Sequence, residues 1–155
     1  MNDLSDLISP EAIDAGLSVT NKKTLFQQLA ASAGRLTDVP AKAILAALQQ
    51  REKLGSTGFG GGVAIPHGKI EGLPRIVGHF ARLHTAIDYN AIDTLPVDLV
   101  FLLLSPPDTG ADHLKALARI SRALRDRATL AKLRGARSKD AIFALLSGEE
   151  SRNAA

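Results

Sequence analysis

The sequence contains no cysteine and no tryptophan, and it has a single tyrosine and a single methionine. Without cysteine there is no disulfide and no thiolate chemistry, which suits a reducing compartment. Aromatic residues make up only 4% of the chain, and none falls between Asp112 and Asp140, where nine Lys and Arg stand against three Asp. Stacking on nucleic-acid bases needs rings among the cations. The 115–139 basic stretch therefore reads as a solvated helix surface rather than a nucleic-acid or acidic-partner face. Membrane insertion is not expected, because a spanning helix needs about 20 apolar residues and the run of large apolar side chains from Leu99 to Leu104 falls far short. No basic-then-apolar leader opens at Met1-Asn2-Asp3-Leu4, so the expected location is the cytoplasm. There is no internal repeat and no low-complexity segment.

What is present is 155 residues with 45% hydrophobic and 23% charged side chains and a net charge of +3. That composition describes one globular domain, able to bury roughly two thirds of its unfolded surface. The domain is expected over 1–148, with 149–155 a disordered tail. At the start, Leu4, Leu7 and Ile8 followed by Ser9-Pro10-Glu11-Ala12-Ile13 suggest a helical turn or extended segment packed on the body. Thr20 caps an expected helix over about 21 to 34, with Leu25, Phe26, Leu29 and Ala33 at helical spacing and Gly34 as its stop. Pro40 stands where a first helical residue would, and Ile44, Leu45 and Leu48 carry a second helix to about Lys53. A strand is expected from Ile76 to Thr85, then a short strand and turn from Ile87 to Leu95. The run up to Leu104 has no polar alternation, as a strand covered on both faces would. Thr109 and Asp112 resemble a capping box for a helix over about 110 to 125. Helices over about 127 to 134 and 138 to 147, the latter capped by Ser138, complete the chain. The pattern predicts an α/β fold, a single domain with a mixed sheet of about five strands and helices on both faces.

The organising stretch is 55–69, GSTGFGGGVAIPHGK. Gly55, Gly58, Gly60, Gly61 and Gly62 permit left-handed backbone and close approach, so their N–H groups can face an anion. Val63, Ala64 and Ile65 suit a buried strand that Pro66 stops, which leaves His67 at a strand end. Gly68 removes bulk beside the ring. Arg51 arrives at the loop from the preceding helix, either as a dipole-compatible surface charge or as a bidentate phosphate clamp. His113 shares an inward face with Leu117, Ile120 and Leu124. It reads as a core histidine or as part of an anion site at a helix N-terminus beyond the central strand. His79 and His84 stand at an odd offset along the chain, so a strand points them to opposite faces. They read as structural or surface groups that cannot share a metal.

Glu52, six residues, Phe59-Gly60, two residues, and Val63-Ala64-Ile65-Pro66-His67-Gly68 together resemble the phosphohistidine signature of the fructose/mannitol-type enzyme IIA domains of the bacterial phosphotransferase system. Arg51 to Gly58 is similar to the nitrogen-regulatory branch, and the resemblance extends to about Leu146. It implies that His67 accepts a phosphoryl group from a small histidine phosphocarrier protein. The second histidine of that family, beside the phosphorylated one, matches Asp112-His113-Leu114. The resemblance further implies a regulatory signal whose two phosphorylation states bind different targets, such as potassium transport systems or sensor kinases. The alternative is a sugar-specific IIA component passing phosphate to a separate IIB domain.

A neutral imidazole is nucleophilic near neutral pH and forms a labile P–N bond. Stabilisation of the phosphoryl in flight is expected from His113, Arg51, the Ser56 and Thr57 hydroxyls and the N–H groups of Gly58, Gly60, Gly61 and Gly62. No cofactor and no metal are expected, since a phosphohistidine donor needs no magnesium. Two rivals rank below this reading. One is a zinc hydrolase built on His67, His113 and a strand histidine, which lacks ligand spacing. The other is a nucleic-acid module on the 115–139 face, whose affinity would be strongly salt-dependent.

Overall fold

A computed structural model describes residues 3–149; of the expected tail, residues 150–155 lie outside the described residues. Along the chain come β1 (Ile13–Leu17), α1 (Lys22–Thr37), α2 (Ala41–Glu52), β2 (Gly58–Gly60), β3 (Val63–Ala64), β4 (His67–Lys69), β5 (Val77–Ile87), β6 (Val97–Ser105), α3 (Ala111–Ala123), α4 (Arg127–Gly135) and α5 (Lys139–Ser147). The strands form one mixed sheet in the order β1-β5-β6-β3-β2, with β4 also paired to β6. β1 runs parallel to β5, and β3 and β4 run parallel to β6, while β5 is antiparallel to β6.

The predicted central strand is central. Val100, Leu102 and Leu104 of β6 face a core shared with Leu25, Leu29, Ile44 and Leu48 of α1 and α2. Leu99, Phe101 and Leu103 face the other core, with Ile120 of α3, Leu133 of α4 and Ile142 of α5. Because both faces are covered, polar alternation would place polar groups in a core. Each large β6 side chain, none more than 1% exposed, contributes roughly 1.5–3 kcal/mol by burial.

The N-terminal stretch is packed on the body as expected, with Leu4, Leu7 and Ile8 buried, a 3-10 turn at Pro10–Ala12 and then strand β1, which is paired to β5. Several other local expectations are corrected. Helix α1 is capped by Asn21 rather than Thr20, since the Asn21 side chain accepts from Thr24 N at 2.8 Å. Gly34 does not end it. A Cβ there would lie 3.0 Å from the Val39 carbonyl oxygen, so Gly34 makes room for the returning chain. The left-handed stop is Asp38, at φ +61°. No strand forms over 88–95, because Asn90 and Thr94 take positive φ and the Asp88 and Asp93 carboxylates accept from Asn90 N and Leu95 N. The Thr109–Asp112 capping box is not made either. Gly110, at φ +55°, is the N-cap of α3, and no side chain caps the first turn. Ser138 does cap α5, accepting from Ala141 N at 3.0 Å.

Candidate functional site

Three elements converge at the C-terminal end of β6. The last turn of α2 supplies Arg51, β4 supplies His67, and the first turn of α3 supplies His113. Pro66 interrupts the sheet but does not stop it. Ile65 N turns away to Thr57 O, Leu103 N donates to Pro66 O at 3.0 Å, and pairing with β6 resumes at His67 opposite Leu103. His67 therefore begins a strand rather than ending one. Gly68 packs against α2, where an added Cβ would lie 3.2 Å from the Ala47 Cβ. Its smallness lets the strand approach the helix, a use beyond the expected removal of bulk beside the ring.

The His67 ring is held at both nitrogens. Nδ1 lies 2.8 Å from the Ile65 carbonyl oxygen, and the Arg51 Nε–H donates to Nε2 at 3.1 Å. A carbonyl can only accept, so Nδ1 carries the proton. A guanidinium can only donate, so Nε2 presents its lone pair. Burial lowers the pKa of His67 below the ordinary histidine value, and the Arg51 charge adds to that, against opposing contributions from the Ile65 hydrogen bond and Glu52. Arg51 is itself oriented, since Nη1 donates to Gly55 O at 2.9 Å.

His113 is buried, with its ring centroid 5.6 Å from that of His67. Its Nδ1 lies 2.6 Å from the Ser105 Oγ. Burial, then His67 and Lys69, lower its pKa. The exposed Leu54 and Leu114 flank this cluster in sequence, one after Arg51 and the other after His113.

Of the remaining expected phosphate ligands, the Ser56 and Thr57 hydroxyls are engaged within their own loop and the glycine turn before Val63 stands apart from the imidazole. Thr57 donates its hydroxyl to Glu52 Oε2 at 2.7 Å and meets the Tyr89 hydroxyl at 2.7 Å, while Ser56 Oγ accepts from Gly58 N at 3.2 Å. Gly61 N donates to Asp93 Oδ2 at 3.0 Å, and a Cβ on Gly60 would lie 3.1 Å from that same oxygen. Gly62 O accepts from Asp98 N and Leu99 N. Val63 is paired with Leu99 and His67 with Leu103, and at about 3.3 Å per residue the glycine turn lies roughly 13 Å along the strand from the histidine. The reason is topological: the turn enters β3 at one end of β6 and His67 leaves at the other.

Sequence reasoning missed a second layer behind Arg51. Glu52 Oε1 accepts from Thr57 N at 2.8 Å and from Lys22 Nζ at 2.6 Å, and Lys22 also donates to Tyr89 O at 3.1 Å. This network ties the start of α1, the end of α2 and the 53–57 loop together, and thereby holds Gly55 O under Arg51. Glu52 was visible as a motif position; Lys22 and Tyr89 carried no signal.

Among the described residues no three His, Asp or Glu side chains gather as a metal site. His79 lies elsewhere, with its Nε2 3.0 Å from Asp14 Oδ2, and His84 is exposed. Of the basic 115–139 residues, Arg119 pairs with Asp6, Arg134 pairs with Asp98, and Arg125 sits over the Phe59 ring. No described helix is long and apolar enough to cross a membrane.

Residues 6–149 match the profile of the family described as phosphoenolpyruvate-dependent sugar phosphotransferase system, EIIA 2. The chain is 54% identical over 144 residues to the nitrogen regulatory protein of Bradyrhizobium diazoefficiens, covering 93% of this chain and 94% of the relative. It is 36% identical over 148 residues to the nitrogen regulatory protein of Escherichia coli K12, covering 95% and 91%. The crystal structure of nitrogen regulatory protein IIA-Ntr from Neisseria meningitidis superposes with a TM-score of 0.88 at 31% identity, over 92% of this chain and 98% of that one.

Proposed function

This chain belongs to the EIIA type 2 family of the phosphoenolpyruvate-dependent sugar phosphotransferase system, in its nitrogen-regulatory branch, and on that premise we propose that it is a histidine phosphocarrier whose acceptor atom is His67 Nε2. The observation that carries this reading is the pair of contacts on the ring, Nδ1 at the Ile65 carbonyl, which can only accept, and Nε2 at the Arg51 N–H, which can only donate. The lone pair forms an N–P bond as the N–P bond of a phosphohistidine donor breaks, and the electron pair of that bond returns to the donor ring. The His67 ring becomes a phosphorylated imidazolium whose Nδ1–H remains on the Ile65 carbonyl, where the developing positive charge strengthens the hydrogen bond. The Arg51 guanidinium, already at Nε2, turns its N–H fork to the phosphoryl oxygens, and His113 approaches from the other side. Catalysis is by positioning and electrostatics, as a loose transition state requires.

The donor is a small histidine phosphocarrier protein. The output is a nitrogen- or potassium-related regulatory signal exerted in the cytoplasm through targets such as potassium transport systems or sensor kinases. The nitrogen-regulatory relatives support that output over sugar uptake. The test is intact-mass measurement after incubation with a phosphohistidine donor system. One acid-labile phosphate is expected on the wild type and none on His67→Ala. Stoichiometric phosphate on His67→Ala, or none on the wild type, overturns the reading.

A further inference from the structure

Ser105, the last residue of β6, is fully buried, and among the described residues its hydroxyl has one hydrogen-bond partner, His113 Nδ1 at 2.6 Å. Two arrangements fit that distance. If Nδ1–H donates to Oγ, the serine proton is left in a closed pocket with no acceptor, and leaving a buried donor unmade is unfavourable. If Oγ–H donates to Nδ1, both groups are satisfied and the imidazole proton sits on Nε2.

We propose that Ser105 is a positioning residue: its hydroxyl donates to His113 Nδ1 and so holds the neutral ring in the Nε2–H tautomer, leaving that N–H as a fixed donor to the phosphoryl group on His67. The proposal rests on the phosphocarrier reading of His67. It adds that one ring must be an acceptor at Nε2 and its neighbour a donor at Nε2, and that separate partners, Ile65 with Arg51 and Ser105, impose the two opposite tautomers. A hydroxyl suits this role because it donates without charging the ring, whereas a carboxylate at Nδ1 would draw the proton to the wrong nitrogen. The ring also cannot turn about its own axis without losing the Ser105 bond, which fixes the direction of the N–H.

The experiment is nitrogen-15 NMR of the imidazoles in the unphosphorylated full chain, followed by single-turnover transfer from a phosphohistidine donor. In the wild type, His113 Nδ1 should show the shift of a bare pyridine-type nitrogen and Nε2 that of a protonated one. Ser105→Ala should give an averaged tautomer pattern and slow transfer by roughly two- to tenfold, the ratio held by one hydrogen bond of ordinary net strength. Ser105→Thr, which keeps the hydroxyl, should restore both. A protonated Nδ1 in the wild type overturns the proposal without recourse to any variant. So does Ser105→Ala with wild-type shifts and rate. If the wild type takes no phosphate, the phosphocarrier reading fails and the positioning role falls with it, whereas the nitrogen shifts still decide the tautomer independently.

Discussion

His67 and His79 are both largely withdrawn from water and both sit on strands of one sheet, yet their neighbours give them opposite characters. His79, 4% exposed, is paired with the Asp14 carboxylate across two adjacent strands. That contact is the largest cause holding the Asp14 pKa below its usual value. His67 has no carboxylate on its ring; a carbonyl takes one nitrogen and a cation stands at the other. A carboxylate partner engages the His79 ring as a hydrogen-bond acceptor between two strands, while a carbonyl on one nitrogen and a guanidinium on the other leave His67 with a directed lone pair. Burial alone does not separate the proposed acceptor from a histidine that ties two strands together, but the groups standing at the ring nitrogens do.

The sharpest way to break this comparison is to exchange the losses. His67→Gln should abolish phosphate uptake and leave thermal unfolding near wild type, whereas His79→Gln should keep full uptake and lower the midpoint. A single mass and melting series on the two proteins checks both, and labelled His67→Gln or unlabelled His79→Gln contradicts it. Next in size, Arg51→Lys keeps the charge but loses the planar fork, so single-turnover transfer should slow on the order of tenfold; a wild-type rate would make Arg51 a surface charge.

A pH profile addresses the same arginine. Because burial and Arg51 depress the His67 pKa, acceptance should stay level below the ordinary histidine value of about 6.5 and fall only when the ring protonates. Arg51→Gln removes one depressing charge, so its acid limb should move to higher pH. An unmoved limb would mean that the guanidinium does not act on the ring electrostatically.

Asp14→Asn tests the structural member. A depressed folded pKa contributes stability that is present above the unfolded aspartate value of about 3.9 and lost as pH falls through the folded one. Near neutral pH the variant should be about 1 kcal/mol less stable, because the amide oxygen can still accept from His79 but without the carboxylate's charge. The wild-type advantage should shrink on acidification, and denaturant titrations at neutral and acid pH measure it; a constant gap would remove Asp14 as the titrating group. The smallest effect is expected from Tyr89→Phe. It deletes one hydroxyl from the Thr57 network, costing about 1 kcal/mol of stability, while Glu52 still holds the loop and transfer stays at the wild-type rate.

The sequence determined on its own what depends on short-range pattern: the unbroken apolar β6, the α2 and α5 helices, and the string from Glu52 to Gly68 that carries family membership. It misread the glycines because a run of them signals backbone freedom without saying what the freedom is used for. Gly60 and Gly61 turn the chain against Asp93, and Gly68 admits α2. Only the tertiary structure decided which groups meet. β4 must lie parallel to β6 for His67 to reach the end where α3 begins, and that pairing brings together residues 51, 67, 105 and 113 from four separate elements. The proton positions follow from that meeting, because a tautomer is fixed by whichever acceptor or donor stands at the ring. Ile65 O is local to the motif, but the Ser105 hydroxyl and the Arg51 guanidinium arrive through the folding of the sheet.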